Sequence, residues 1–90
     1  MDNFIAHILV VDDDEGIRLL VKKYLNENKF LVTTAHNAED ASKKIEIISF
    51  DLIILDIMMP GKNGIEFIQE NKKNLIFYKV VRCNLLKTKF

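Results

Sequence analysis

Two apolar segments of this chain each end in carboxylate side chains. His7–Val11 runs directly into Asp12 and Asp13, and residues 52–55 run directly into Asp56. An ionised carboxylate that is buried without a partner is strongly unfavourable, so we place these acids just beyond the ends of two buried strands. If the strands are parallel neighbours, the acids converge at one edge of a sheet. A hard divalent cation would relieve the repulsion among three clustered carboxylates.

The segments around these acids alternate between strand patterns and helix patterns. Apolar, β-branched runs indicate strands, and apolar residues spaced three and four apart indicate amphipathic helices. We predict strands at 7–11, 30–35 and 51–55, and helices from near 14 to 26–28, from 38 to 48 and from 65 to 71. The order strand, helix, strand, helix, strand, helix predicts an α/β fold whose parallel sheet carries helices on both faces.

Both of the first two helices have a predicted N-cap and a predicted buried stripe. Asp14 is expected to be an N-cap or a solvated acid rather than a metal ligand. Asn37 is expected to cap the second helix, with Asp40 as a weak capping-box partner. His7 and His36 flank strands and are expected at the surface. The predicted stripes are Ile17, Leu20, Val21, Tyr24 and Leu25 in the first helix, and Ala38, Ala41, Ile45 and Ile48 in the second.

The composition is that of one small globular domain. The chain has 90 residues, 49% hydrophobic residues and no net charge, which argues against intrinsic disorder. Its second part, residues 57–90, has 7 basic and 2 acidic residues, but a basic stretch of this size is usually solvated surface, and we expect no nucleic-acid contact. One cysteine, an acidic N-terminus and short apolar runs predict a reducing, cytoplasmic location without membrane spans.

Together these motifs resemble the receiver domain of response regulators in two-component signalling systems. The resemblance rests on LVVDD at 9–13, DLIILD at 51–56 and MMPG at 58–61 followed by Asn63 and Gly64. It runs from about Ile8 to Asn71 and implies a flavodoxin-like, doubly wound parallel sheet.

The resemblance also implies a specific site. Asp56 matches the aspartate that accepts a phosphoryl group from the phosphohistidine of a histidine kinase or a histidine phosphotransfer protein. Asp12, Asp13 and Asp56 match the carboxylates that hold Mg²⁺, and Met58 matches the residue whose backbone carbonyl is a further ligand. Carboxylates, carbonyls and waters suit the octahedral geometry of Mg²⁺. The chain is then a signalling module rather than an enzyme.

The chain also departs from the receiver pattern. It resembles only the first three βα units, so we interpret residues 1–74 as a partial receiver domain and 75–90 as a divergent tail. Residues 75–81 are consistent with a fourth strand, followed by a basic C-terminus. No Ser or Thr lies between Ser49 and Thr88 to contact the phosphoryl group, and no fifth-strand Lys is present. We therefore expect a truncated, switch-defective receiver that self-associates through an exposed sheet edge.

Two alternative functions remain open from the sequence. The chain could be a degenerate fragment with an interaction role or no role at all. Less favoured is a Mg²⁺-dependent phosphohydrolase with Asp56 as the nucleophile, because no further motif supplies a substrate pocket or a general acid.

Overall fold

The described part of the chain forms a parallel sheet with helices on both faces. The structure is a computed structural model, and it describes residues 4–55, Gln69 and the strand at 79–82. The predicted loop at 59–64, most of the predicted third helix and the tail at 83–90 lie outside these residues. The elements are β1 (His7–Val11), α1 (Glu15–Glu27), β2 (Leu31–Ala35), α2 (Ala38–Ile47), β3 (Leu52–Leu55) and β4 (Lys79–Arg82).

The sheet has the strand order β2-β1-β3-β4, and every pairing is parallel. This order reverses direction at β1, as in doubly wound flavodoxin-like sheets. The predicted α/β, doubly wound fold is therefore confirmed. The fourth strand is also confirmed, and it occupies Lys79–Arg82 within and just beyond the segment suggested by the sequence.

The central strand β1 is buried because it has a strand on each side and a helix on each face. Its residues from Ile8 to Val11 are all buried, which explains their uniform apolar character. The two faces form separate clusters. The α2 face contains Leu9, Val11, Ala35, Ala38, Ala41, Ile45, Phe50, Ile53 and Leu55, and the α1 face contains Ile8, Val10 and Val32 with half-buried Val21, Leu25, Leu52 and Ile54.

Local capping determines where the helices begin and end. Both predicted N-caps are confirmed, because the side chains of Asp14 and Asn37 accept backbone N–H bonds from inside α1 and α2. Lys29, two residues past the end of α1, has a φ of 73°. The N–H of Lys29 donates to the Asn26 carbonyl and that of Phe30 donates to the Leu25 carbonyl. This is a Schellman motif in which Lys occupies the left-handed position that glycine favours.

Two predictions about burial were wrong. Leu20 and Tyr24 were expected in the core but are 60% and 64% exposed. Helix α1 directs the row that contains Val21 and Leu25 onto the sheet, and the neighbouring row turns away from it. His7 was expected at the surface, but it is half-buried because its ring packs edge-on against Phe50, with ring centres 4.8 Å apart.

Among the described residues, no helix combines the length and the apolar character that a membrane-crossing segment requires.

Candidate functional site at the carboxyl edge of the sheet

The predicted acids follow strands that end side by side. Val11, the last residue of β1, pairs with Ala35 of β2 and with Leu55, the last residue of β3. Asp12 continues directly from Val11 at this carboxyl edge. In open α/β sheets, ligands bind beyond the carboxyl ends of the strands where the strand order reverses. β1 is that point in this sheet, so the edge has the position of a ligand site.

Asp12 is a buried carboxylate at the centre of this edge. The residue is only 1% exposed. Its backbone N–H donates to the Ala35 carbonyl at 3.1 Å, and its Oδ1 accepts the backbone N–H of Asp14 at 2.9 Å. A buried carboxylate requires hydrogen bonds or a positive charge to offset the loss of hydration. A cation at this edge would therefore stabilise Asp12 further.

The next two acids have different environments. Asp13 is exposed at the edge. The Oδ1 of Asp14 accepts the backbone N–H of Ile17 at 3.1 Å, so this carboxylate is the N-cap of α1. Three consecutive aspartates thus divide into a buried acid, an exposed acid and a helix cap.

Arg18 was not identified from the sequence but contacts the acidic segment directly. Its Nη1 donates to the backbone carbonyl of Asp12 at 2.9 Å, and its backbone N–H donates to the Asp14 carbonyl at 2.9 Å. The available signal was its position in the first turn of the predicted helix, four residues after Asp14. One helical turn brings a side chain at that spacing back over the residues that precede the helix.

A second polar cluster lies at the end of β2 and the start of α2. Asp40 Oδ2 lies 3.1 Å from Lys44 Nζ and 3.2 Å from His36 Nδ1. Lys44 Nζ also donates to the Thr34 carbonyl at 2.6 Å. Partial burial is the largest influence on Asp40 and raises its pKa. The hydrogen bond and charge of Lys44, aided by the N–H and ring of His36, outweigh burial and hold the pKa of Asp40 below its ordinary value.

Two predicted site residues lie outside the described part of the chain. These are Asp56, which follows Leu55 in the sequence, and Met58. Within residues 4–55 and 79–82, no three His, Cys, Asp or Glu side chains are placed to hold a metal ion. The described residues therefore supply Asp12 and Asp13 from the predicted ligand set.

The chemistry of the donors fits Mg²⁺. Aspartate carboxylates are hard oxygen ligands, and Mg²⁺ is usually bound by one or two carboxylates together with waters and phosphate oxygens. Asp12 and Asp13 supply two carboxylates next to each other in the chain, one buried and one exposed. Thiol and imidazole ligands, which would indicate a softer metal, are absent from residues 12–15, which lie between β1 and the start of α1.

The last strand of the described sheet, β4, ends beside β3. Arg82, its last residue, pairs with Leu55 of β3, and Cys83 follows it in the sequence. The sequence has no Ser or Thr at residues 79–83, so neither β4 nor Cys83 carries a side-chain hydroxyl.

The sequence matches one family model and several curated proteins. Residues 8–82 match the response regulator receiver domain. The chain is 45% identical over 64 residues to Protein PetR of Rhodobacter capsulatus, covering 71% of this chain and 27% of that protein. It is 46% identical over 59 residues to the transcriptional regulatory protein ResD of Bacillus subtilis, covering 66% of this chain and 25% of that protein. The chain thus spans about a quarter of the length of these relatives.

Solved structures show the same architecture. The response regulator TrrA from Thermotoga maritima, solved in complex with Mg²⁺ and BeF, has a TM-score of 0.80 and 42% identity, with 87% of this chain and 68% of that chain covered. The chemotaxis response regulator CheY4 of Vibrio cholerae has a TM-score of 0.81 and 32% identity, with 86% and 66% covered. With the family match over residues 8–82, these likenesses show that the chain belongs to the receiver domain family of response regulators.

Proposed function

We propose that this chain is the phosphoacceptor module of a two-component phosphorelay. Asp56 would accept a phosphoryl group from the phosphohistidine of a histidine kinase or a histidine phosphotransfer protein. The observation that carries the proposal is the register of the sheet: Val11 and Leu55 are paired at the ends of adjacent parallel strands. Asp12 follows Val11 and Asp56 follows Leu55 in the sequence, so this pairing supports the proposal that the two acids share one site.

In the proposed reaction, a carboxylate oxygen of Asp56 attacks the phosphorus atom. A new O–P bond forms, the P–N bond to the donor histidine breaks, and its electron pair returns to the imidazole nitrogen. When bound, Mg²⁺ would reduce the repulsion between the anionic nucleophile and the anionic phosphoryl group. Asp12, Asp13, Asp56 and the backbone carbonyl of Met58 would hold the ion.

The hydrogen bonds around Asp12 support its role in this site. The strand β2 fixes its N–H, and the turn into α1 fixes its Oδ1. A ligand that is already oriented loses less freedom when the ion binds. The solved complex of TrrA with Mg²⁺ and BeF supports the choice of metal, because TrrA is 42% identical to this chain.

Phosphoryl transfer is tested with radiolabelled acetyl phosphate in the presence of Mg²⁺. We expect the full chain to be labelled, Asp56→Asn to remain unlabelled, and the control Asp14→Asn to be labelled like the wild type, because Asp14 is occupied as a helix cap. Label in Asp56→Asn would contradict the assignment of the acceptor. A folded wild-type chain without label would favour a degenerate receiver, and turnover of a small phosphoester would favour a phosphohydrolase.

Mg²⁺ binding is tested separately by thermal melting. A ligand that binds only the folded state stabilises it by about 1.4 kcal/mol at ten times its Kd. For a chain of this size that corresponds to an increase in Tm of roughly 6–11 °C. Asp13→Asn should remove most of the increase. Identical melting of the wild type with and without millimolar Mg²⁺ would refute the metal site.

A further inference from the structure

We propose that Arg18 is a positioning residue that orients the acidic pair Asp12 and Asp13 for Mg²⁺. This inference rests on the proposed function, and it assigns a role to a side chain outside the predicted ligand set. Arg18 is half-buried, and its Nη1 donates to the backbone carbonyl of Asp12 at 2.9 Å. The bond joins the first turn of α1 to the end of β1.

This hydrogen bond completes the restraint of the backbone at Asp12. The peptide group that joins Val11 to Asp12 is held by the bond from the Asp12 N–H to the Ala35 carbonyl, at 3.1 Å. The peptide group that follows Asp12 is held by Arg18 through the carbonyl oxygen. Because peptide groups are planar, fixing both of them restricts the two backbone dihedrals of Asp12. The direction of its side chain from the backbone follows from these dihedrals.

The same restraint extends to Asp13. The carbonyl of Asp12 and the N–H of Asp13 belong to one planar peptide group, so a bond that fixes the first also fixes the second. Asp13 is exposed. The bond from the Asp12 N–H to β2 holds the peptide group before Asp12, and the bond from Arg18 holds the peptide group between Asp12 and Asp13. Arg18 therefore restrains the peptide group from which the chain continues into Asp13.

Positioning and charge predict opposite effects on metal affinity. The guanidinium is a positive charge close to the proposed cation site, so as a charge alone it would weaken Mg²⁺ binding. As an orienting group it would strengthen binding, and loss of such an outer partner typically costs about 10- to 100-fold in metal affinity. The sign of the change on substitution thus separates the two roles.

The test is a titration of the full chain with Mg²⁺, measured by isothermal titration calorimetry. We expect Arg18→Gln to weaken Mg²⁺ affinity by about 10- to 100-fold. Arg18→Lys keeps the charge and can retain one hydrogen bond, so a smaller loss is expected. Lys22→Gln is the matched control, because it removes the same charge one turn further along α1. Its affinity should be unchanged or slightly increased. Affinity of Arg18→Gln equal to or tighter than the wild type would overturn the proposal.

A metal-free measurement keeps this result separate from the proposed function. In amide NMR spectra without Mg²⁺, Arg18→Gln should shift the Asp13 amide and leave the amide of Asp40, in α2, in place. If the wild type binds no Mg²⁺, the metal site of the proposed function fails, and this spectrum alone decides the role of Arg18. An unmoved Asp13 amide would refute it. If Arg18→Gln does not fold, Arg18→Lys is compared by the same two measurements.

Discussion

Replacing Asp14 tests whether the structure assigns the three consecutive aspartates correctly. Asp14 Oδ1 accepts the Ile17 N–H at 3.1 Å and caps α1, a helix of 13 residues. Asp14→Ala removes this acceptor but leaves the Asp14 backbone N–H, which donates to Asp12 Oδ1. The substitution should therefore lower stability through the helix cap without releasing Asp12.

The magnitude follows from the single bond that is lost. Removing an N-cap side chain costs about 1 kcal/mol, within a range of roughly 0.5–2. For a chain of about this size, each kcal/mol shifts Tm by roughly 4–8 °C. Asp14→Asn keeps an acceptor oxygen and loses only the attraction of a negative charge to the helix N-terminus, which is worth about 0.3–1 kcal/mol. Glu15→Gln removes a first-turn charge without removing the cap and is the matched control.

The assay is thermal melting by circular dichroism with and without millimolar Mg²⁺. We expect Asp14→Ala to melt several degrees below the wild type, and Asp14→Asn and Glu15→Gln to melt close to each other. Each variant should retain the full Mg²⁺-induced increase. Equal loss of stability in Asp14→Ala and Asp14→Asn would refute the capping role. Loss of the Mg²⁺ effect in Asp14→Asn would show that Asp14, rather than its neighbours, binds the ion.

Four further predictions follow from other parts of the structure. Lys29→Gly should stabilise the chain by about 0.5–1 kcal/mol, because glycine relieves a left-handed strain of roughly 1–2 kcal/mol at this C-terminal motif and adds only about 0.4–1 kcal/mol of unfolded-state entropy; an unchanged or lower Tm would contradict this. Because the pKa of Asp40 is lowered in the folded state, its contribution to stability is present above the unfolded pKa and is lost as pH falls through the folded pKa. Asp40→Asn should therefore destabilise the chain at pH 7, and the difference in urea midpoint should shrink as the medium becomes acidic; a difference that is independent of pH would refute it. Beryllofluoride should shift amides near Asp12 without a concerted change across β4, since neither β4 nor Cys83 supplies a hydroxyl to follow the phosphoryl group; a concerted change in β4 amides would count against a defective switch. Sedimentation velocity should show self-association that increases with concentration, because β4, which overlaps the segment 75–81 expected to form the open edge, is an outer strand of the sheet that the structure describes; a single monomeric species across the concentration range would contradict it.

Much of the fold was predictable because its signals are local. The run HILVV is apolar after His7 and rich in β-branched residues, so it predicts a strand that is buried on both faces, and β1 has these bounds. Asp14 and Asn37 precede apolar stripes at helical spacing, and both are N-caps. Alternation of strands and helices then leaves few topologies other than a doubly wound parallel sheet.

The position of Asp12 was predictable for a related reason. An apolar strand cannot continue into ionised side chains without losing their hydration, so the change from Val11 to Asp12 marks the end of β1. The sequence changes in the same way from Leu55 to Asp56, but Asp56 lies outside the described residues, so its position stays a prediction. The pairing of Val11 with Leu55 then aligns the two strand ends.

Side-chain contacts between elements depended on the tertiary structure. The sequence predicts an apolar stripe on α1, but only its orientation over the sheet exposes Leu20 and Tyr24. His7 bonds Thr33 through its ring, at 2.7 Å, because parallel pairing brings β1 and β2 together. The bond from Arg18 to Asp12 likewise depends on the angle at which α1 leaves the strand. Hydrophobic periodicity reports which residues share a face, whereas these contacts require the relative placement of two elements, which only packing of the whole sheet decides.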